Sequence, residues 1–256
     1  MNALAPTIFG KYQLVERLAR GGMAEVFKAK SHGVEGFEKT LVIKRILPEF
    51  SSNPQFVEMF INEAKIAVTL SHANIVQVFD LGRAADSYFI AMEWVAGYDL
   101  ATLIRRAKVQ RLGIAPELAV FIVSELAKAL DYAHRRRDSN LRPLHIVHRD
   151  VSPQNVLVSF EGEVKLTDFG VAKARTFVSQ ETEAGVLKGK YAYMSPEQSK
   201  GAAVDSRTDL YALGVVLFEL LSGTNPFESD TSYETLRRVR AGERPLLRSI
   251  APDLSD

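Results

Sequence analysis

His148-Arg149-Asp150-Val151-Ser152-Pro153-Gln154-Asn155, followed across a hairpin by Asp168-Phe169-Gly170, decides how this chain is read. Val156-Leu157-Val158 and Val164-Lys165-Leu166 are short β-prone runs flanking the turn Glu161-Gly162, and they read as a hairpin. That hairpin carries Asn155 at one end and Asp168 at the other. A carboxylate and an amide oxygen side by side suit Mg²⁺, a hard cation that keeps several waters and completes its shell with phosphate oxygens. A second carboxylate, Asp150, is left to orient or deprotonate a nucleophile.

The stretch resembles the catalytic loop H-R-D-x-x-x-x-N and the magnesium loop D-F-G of the eukaryotic-like (Hanks-type) protein kinases, most of all the bacterial Ser/Thr kinases. Either motif alone would pass for an ordinary hairpin; both together, in order, make chance remote. The resemblance implies an α+β, two-lobed fold, with a small β-rich N-lobe over residues 1–95 and a larger helical C-lobe over 96–256. It implies transfer of the γ-phosphate of Mg·ATP, with Mn²⁺ as the substitute metal, to hydroxyl groups of protein substrates. Asp150 would accept the proton, and Asn155 and Asp168 would hold the metal.

Composition fits that reading. The chain has 256 residues, 46% apolar and 25% charged, with a net charge of +1, which is ordinary for a soluble globular protein. Such a balance gives no long-range pull toward nucleic acid or an anionic membrane. The absence of cysteine excludes disulfides and thiolate metal sites and fits a reducing compartment. Met1 to Gly10 lacks a charged-then-apolar signal pattern. Ala212 to Leu221, an apolar run bracketed by Asp209 and Gly223, is too short to span a bilayer. We expect no membrane contact within this chain and a cytoplasmic setting; the oligomeric state is not legible.

Working toward the N-terminus, Tyr12 to Val15 and Glu25 to Ala29 read as strands around a glycine turn, Ala19 to Ala24. Such a turn lets backbone N–H groups approach phosphates. It resembles the kinase glycine-rich loop with alanine at two of the three glycine positions, Ala19 and Ala24, and only Gly21 kept, with Gly22 beside it. The alanines imply a stiffer lid. Lys39 to Ile46 is the next strand; Lys44 matches the lysine that grips the α- and β-phosphates, and Val42 stands where the family prefers alanine. Phe56 to Leu70 has helical periodicity. Its Glu63 matches the glutamate that pairs with the strand lysine, with Glu58 as the alternative. Ile75 to Phe79 and Tyr88 to Glu93 read as strands, with Met92 as gatekeeper and Glu93-Trp94-Val95 as hinge. Asp99 matches the ribose-binding acid, and equally reads as the N-cap of a helix over Leu100 to Lys108. By the resemblance, Ala19, Gly21, Gly22, Ala24, Val26, Val42, Lys44, Met92, Glu93, Val95, Asp99 and Leu157 contact the nucleotide.

Toward the C-terminus, Pro116 to Arg137 is a helix, with Leu118, Phe121, Ile122, Leu126, Ala129, Leu130 and Ala133 at helical spacing. Asp138 to Leu144 reads as a polar loop without a function. Ala174 to Lys188 resembles an activation segment; Thr182 matches the position bacterial kinases phosphorylate, with Ser179 and Thr176 as alternatives. Tyr193-Met194-Ser195-Pro196-Glu197 resembles the A-P-E signature. Asp205 to Ser222 is a helix apolar on nearly every face, the pattern of a buried element. Tyr233 to Ala241 is a last amphipathic helix, and Gly242 to Asp256 a tail.

Three departures from the family stand out. Ser152 replaces the usual lysine two residues after Asp150, and Lys190 replaces the usual threonine after Gly189. In related kinases those side chains meet beside the aspartate, so we expect an exchange, with Lys190 supplying the cation and Ser152 the hydroxyl. By the resemblance, we expect the last helices of the C-lobe, with the arginine that pairs with Glu197, to lie beyond Asp256. We therefore expect an uncovered apolar face on Asp205 to Ser222. Two other readings compete with a Ser/Thr kinase: a pseudokinase that only binds nucleotide or acts as a scaffold, and a tyrosine kinase.

Overall fold

Tyr12, Leu14, Phe27, Ala29, Leu41 and Ile43 recur at every second residue of three successive strands, so period two turns them to one face and into one core. The computed structural model describes residues 3–169 and 189–252. It divides into two units, Met1–Ser71 with Val76–Val95, and His72–Ile75 with Ala96–Asp256. The stretch expected to be the activation segment, Ala174 to Lys188 with Thr176, Ser179 and Thr182, lies outside the described residues, as does Gly170.

The first unit is an antiparallel sheet of six strands: β1 (Ala3–Phe9), β2 (Tyr12–Arg20), β3 (Ala24–His32), β4 (Glu38–Ile46), β5 (Val78–Ala84) and β6 (Ser87–Glu93), in the order β1-β2-β3-β4-β6-β5. Phe9 and Tyr12 meet the Phe89 ring edge-on at 5.4 and 5.5 Å, the geometry aromatic quadrupoles favour. Beyond shifts of a few residues at the ends of β3, β4 and β6, three strands differ from the sequence reading. β1 escapes it because Pro6 and a bulge between Ala3 and Thr7 break the alternation; an edge strand tolerates both. β2 runs on through Ala19 and Arg20, which pair with Val26 and Glu25. The glycine turn therefore shrinks to Gly21–Met23, closed by Gly21 N–H donating to Ala24 O at 2.8 Å. The strand expected at Ile75 to Phe79 starts instead at Val78, and Ile75 bridges Leu166 in the other unit's own fold. Helix α1 (Pro54–Val68) starts at Asn53, whose side chain accepts from Gln55 N–H.

The second unit contains a three-stranded sheet, β7 (Gly97–Asp99), β8 (Val156–Ser159) and β9 (Val164–Leu166), in that order. Its helices are α2 (Leu100–Val109), α3 (Pro116–His134), α4 (Pro196–Ser199), α5 (Ser206–Ser222), α6 (Ser232–Ala241) and α7 (Leu247–Ile250). α3 buries Ala119, Ile122, Leu126, Ala129, Leu130 and Ala133, whereas Leu118 and Phe121, expected on that face, are exposed. α5 buries Ala212, Leu213, Val215, Val216 and Leu220 but leaves Leu210 54% exposed, so it is not covered all round. Glu197, whose arginine partner was expected further on, accepts from Thr208 Oγ1 of α5 at 2.8 Å. The loop after α3 is built rather than featureless: Asp138 Oδ1 accepts from Asn140 N–H and Arg142 N–H, both at 2.8 Å. Among the described residues no helix is long and apolar enough to cross a membrane.

Gly97 is where β7 comes closest to β8. A β-carbon built there would lie 1.9 Å from the Val158 carbonyl oxygen, so only glycine fits without moving backbone. Gly97→Ala is expected to destabilise the protein by about 2 kcal/mol, read as a lower urea midpoint at unchanged slope. An unchanged midpoint would show that the strand pair yields freely.

Candidate active site

A buried acid in an apolar helix positions the centre of the second unit. Asp209, on the first turn of α5, is fully buried. Its Oδ2 accepts from His148 N–H and its Oδ1 from Arg149 N–H, both at 2.8 Å. His134, at the end of α3, sits with Nε2 2.8 Å from the same Oδ2. These bonds hold Arg149 at φ 65°, in the left-handed region, a conformation that costs a non-glycine residue about 1–2 kcal/mol. The His148 ring is fully buried, and burial lowers its pKa, so it stays neutral. Its Nδ1 accepts from Asp150 N–H at 3.2 Å, which makes Nε2 the donor to Thr167 O at 3.0 Å. The ring thus bridges Asp150 and the residue before Asp168, and Phe169 packs on it at 4.6 Å.

The side chains that carry chemistry converge on that frame. Asn155 Nδ2 donates to the Asp150 carbonyl at 2.7 Å and to Asp150 Oδ2 at 2.9 Å. Its amide oxygen therefore faces the other way. Thr167 N–H donates to Asn155 O at 2.9 Å, which places Asp168, at φ 58°, one residue from the pinned asparagine. An amide oxygen and a carboxylate suit Mg²⁺, which draws on few protein oxygens and completes its octahedron with phosphate and water. No cluster of three or more His, Cys, Asp or Glu residues able to hold a metal occurs among the described residues, so an all-protein cage is not what this arrangement offers. Lys190 Nζ donates to Asp150 Oδ2 at 2.9 Å, with the two side chains 19% and 10% exposed.

Ser152 departs from the expected exchange. It is 1% exposed, its backbone is extended at φ −160°, and its Oγ has no hydrogen-bond partner among the described residues. Among the described residues its hydroxyl therefore makes no hydrogen bond to Lys190 or Asp150, the contact an exchange would have shown. Asp99 caps α2 with both oxygens: Oδ1 accepts from Thr102 N–H and Oδ2 from Thr102 Oγ1, each at 2.8 Å. Strand pairing sets it opposite Leu157.

In the first unit Lys44 Nζ donates to Glu63 Oε1 at 2.7 Å, and both side chains are largely buried at 14% and 13% exposure. Glu58, the alternative, is exposed. Lys44 stands opposite Val26 on β3, and Val42 lies opposite Met92 on β6, with Val42, Met92 and Val95 all buried. Gln77 N–H donates to the Glu93 carboxylate at 3.2 Å, and Lys28 covers the Trp94 ring at 4.5 Å. Ala19 and Ala24 are strand residues beside the turn of Gly21 and Gly22.

The sequence reading missed Asp209 as an anchor, although a lone acid among Leu210, Ala212 and Leu213 was a signal: an unpaired charge on an apolar face needs donors. It also missed Gln198, whose Nε2 donates to Arg149 O at 2.9 Å from the helix after Ser195.

Known proteins share this arrangement. Residues 12–251 match the model of the protein kinase domain. Over 248 residues the chain is 44% identical to the tyrosine-protein kinase MasK of Myxococcus xanthus, covering 97% of this chain and 38% of that protein. It is 33% identical over 247 residues to the serine/threonine-protein kinase PrkC of Bacillus subtilis, covering 96% and 36%. The crystal structure of the Mycobacterium tuberculosis PknI kinase domain superposes with a TM-score of 0.70 at 29% identity, over 98% of this chain and 86% of that one. The chain spans between 30% and 38% of the length of the first curated relatives it matches.

Proposed function

This chain belongs to the protein kinase domain family, and we propose that it transfers the γ-phosphate of ATP to serine and threonine hydroxyls of protein substrates. The observation that carries the reading is the braced carboxylate of Asp150, held by Asn155, whose own backbone the hairpin ties to Thr167, the residue before Asp168. In the reaction Asp150 takes the proton of the acceptor hydroxyl as its oxygen bonds to the γ-phosphorus. The bond from that phosphorus to the bridging oxygen breaks, and ADP leaves with the electron pair. Asn155 and Asp168 would hold Mg²⁺, or Mn²⁺ in its place, and the metal would neutralise charge on the phosphates. Lys44 grips the α- and β-phosphates while Glu63 fixes its ammonium. Catalysis of this kind is mostly positioning and charge neutralisation.

One finding favours a second acceptor class: the relative at 44% identity is named a tyrosine-protein kinase. Regulation is part of the proposal. Arg149 Nε is buried without a hydrogen-bond partner among the described residues, and a phosphate adds roughly two negative charges and strong acceptors that order a segment against arginine. Thr182, or Ser179 or Thr176 in its stead, is the proposed phosphorylation site.

Incubation with γ-labelled ATP, followed by phosphoamino-acid analysis and mass spectrometry, tests all three points. We expect label on serine or threonine, including Thr182, Ser179 or Thr176. Label confined to tyrosine would move the acceptor class. Phosphate elsewhere but on none of those three residues would remove the switch. No label at all, with nucleotide still bound, would leave a pseudokinase.

A further inference from the structure

The catalytic hexapeptide Asp150 to Asn155 contains no cation, yet a cation sits on its carboxylate. We propose that Lys190 is a catalytic residue, its ammonium stabilising the phosphoryl group as it passes to the acceptor; this rests on the kinase reading above.

The geometry makes the case. An acceptor hydroxyl poised for deprotonation lies about 2.6–3.2 Å from the carboxylate of its base. Lys190 Nζ lies 2.9 Å from Asp150 Oδ2. The ammonium is therefore within two hydrogen-bond lengths of the attacking oxygen, and the transferred phosphorus bonds to that same oxygen. Negative charge spreads over the equatorial phosphoryl oxygens during transfer. Lys190 carries three N–H donors on a flexible stem, so one can stay on Asp150 while another reaches a phosphoryl oxygen. The pair is only 19% and 10% exposed, and a donor in such a setting acts more strongly than in water. Asn155 donates to the same carboxylate oxygen at 2.9 Å, so the charge is fixed before the reaction rather than recruited during it.

Ser152 supplies no alternative. Its Oγ is buried without a hydrogen-bond partner among the described residues, so the cation is argued by itself, without the hydroxyl half of the exchange. Lys190 also belongs to a chain segment far from the hexapeptide, 40 positions along the chain from Asp150. The structure therefore divides base and cation between two stretches of chain. A plain tether, in which Lys190 only fixes the position of its own segment, makes a different prediction. It would support ground state and transition state alike, whereas a catalytic cation favours the transition state.

Lys190→Met removes the charge at similar length, and Lys190→Arg keeps it. Turnover, affinity for Mg·AMP-PNP and affinity for Mg·ADP with aluminium fluoride are measured for wild type and both variants, with thermal melting to establish folding. We expect Lys190→Met to lower kcat by roughly 10²–10³-fold. Affinity for the aluminium fluoride complex should fall by about 10²-fold, and affinity for Mg·AMP-PNP should change by less than about threefold. Lys190→Arg should recover part of both losses. If Lys190→Met does not fold, Lys190→Gln, which keeps a donor without the charge, replaces it under the same thresholds. Equal losses for both complexes, no loss in either, or a gain in turnover would overturn the proposal while leaving the kinase reading intact. A wild type that binds no magnesium nucleotide would end that reading, and this inference with it.

Discussion

Replacing Asp168 by asparagine is expected to cut phosphoryl transfer by roughly three orders of magnitude or more, the range seen when a cation is lost from a transferring phosphoryl group. Asparagine is the informative substitution because Asp168 sits at φ 58°, a left-handed conformation that Asn tolerates and most residues do not. The backbone should stay in place while the carboxylate charge disappears. Asp168→Ala carries the same loss with added backbone strain, so it should be no more active. Thr167 N–H remains on Asn155 O in either variant, which keeps the hairpin end in register. The residual activity of Asp168→Asn should respond to added Mg²⁺ or Mn²⁺, because a weakened site fills at higher metal concentration. Chelation of the metal in wild type should reproduce the defect. Equal incorporation of label by wild type and Asp168→Asn would end the kinase reading.

Much of this site is legible in sequence because short-range geometry ties its parts together. Asn155 and Asp168 flank one hairpin, whose pairing of Val156 with Leu166 sets the two ends side by side. Lys44 and Glu63 could be matched through the family motifs they resemble, and the ion pair selects Glu63 over Glu58. Contacts over long separations are less legible. Asp209 reaches His148 across 61 residues, and nothing in the local pattern names its partner. Side-chain direction is the other gap. Lysine in one loop and serine in the other pointed to an exchange, but among the described residues the buried Ser152 hydroxyl makes no hydrogen bond while the long Lys190 chain reaches Asp150. Asp99 reads both as a cap and, by the resemblance, as a ribose ligand; its two oxygens accept from Thr102, which is the cap. β1 was hidden because edge strands accept a proline and a bulge that erase alternation.

Asp209→Ala is expected to destabilise the protein by about 3 kcal/mol or more, because it strips the acceptor from two buried backbone donors, each worth about 1–3 kcal/mol when left unsatisfied. His148 N–H and Arg149 N–H would lose their partners at 2.8 Å, and His134 Nε2 would lose its own. For a chain of this size that loss lowers Tm by roughly 6–12 °C. The same substitution reaches the chemistry. Arg149 holds φ 65° against an intrinsic preference for negative values, and the two bonds from Asp209 keep it there. Without them the backbone can relax, and Asp150, the next residue, moves with it. A misplacement of about 1 Å at a reacting group costs on the order of 10²-fold in rate. Asp209→Asn separates the two effects, since its amide oxygen can still accept one backbone N–H while its NH₂ repels the other. It should fold at a Tm between wild type and Asp209→Ala and lose turnover with nucleotide affinity largely kept, because Lys44 and Glu63 belong to the other unit and keep their pairing. Thermal melting, kcat and nucleotide affinity for both variants decide the matter. Wild-type turnover in a folded Asp209→Asn would show that Asp150 is placed by its other contacts, the His148 ring and Asn155, without the buried acid.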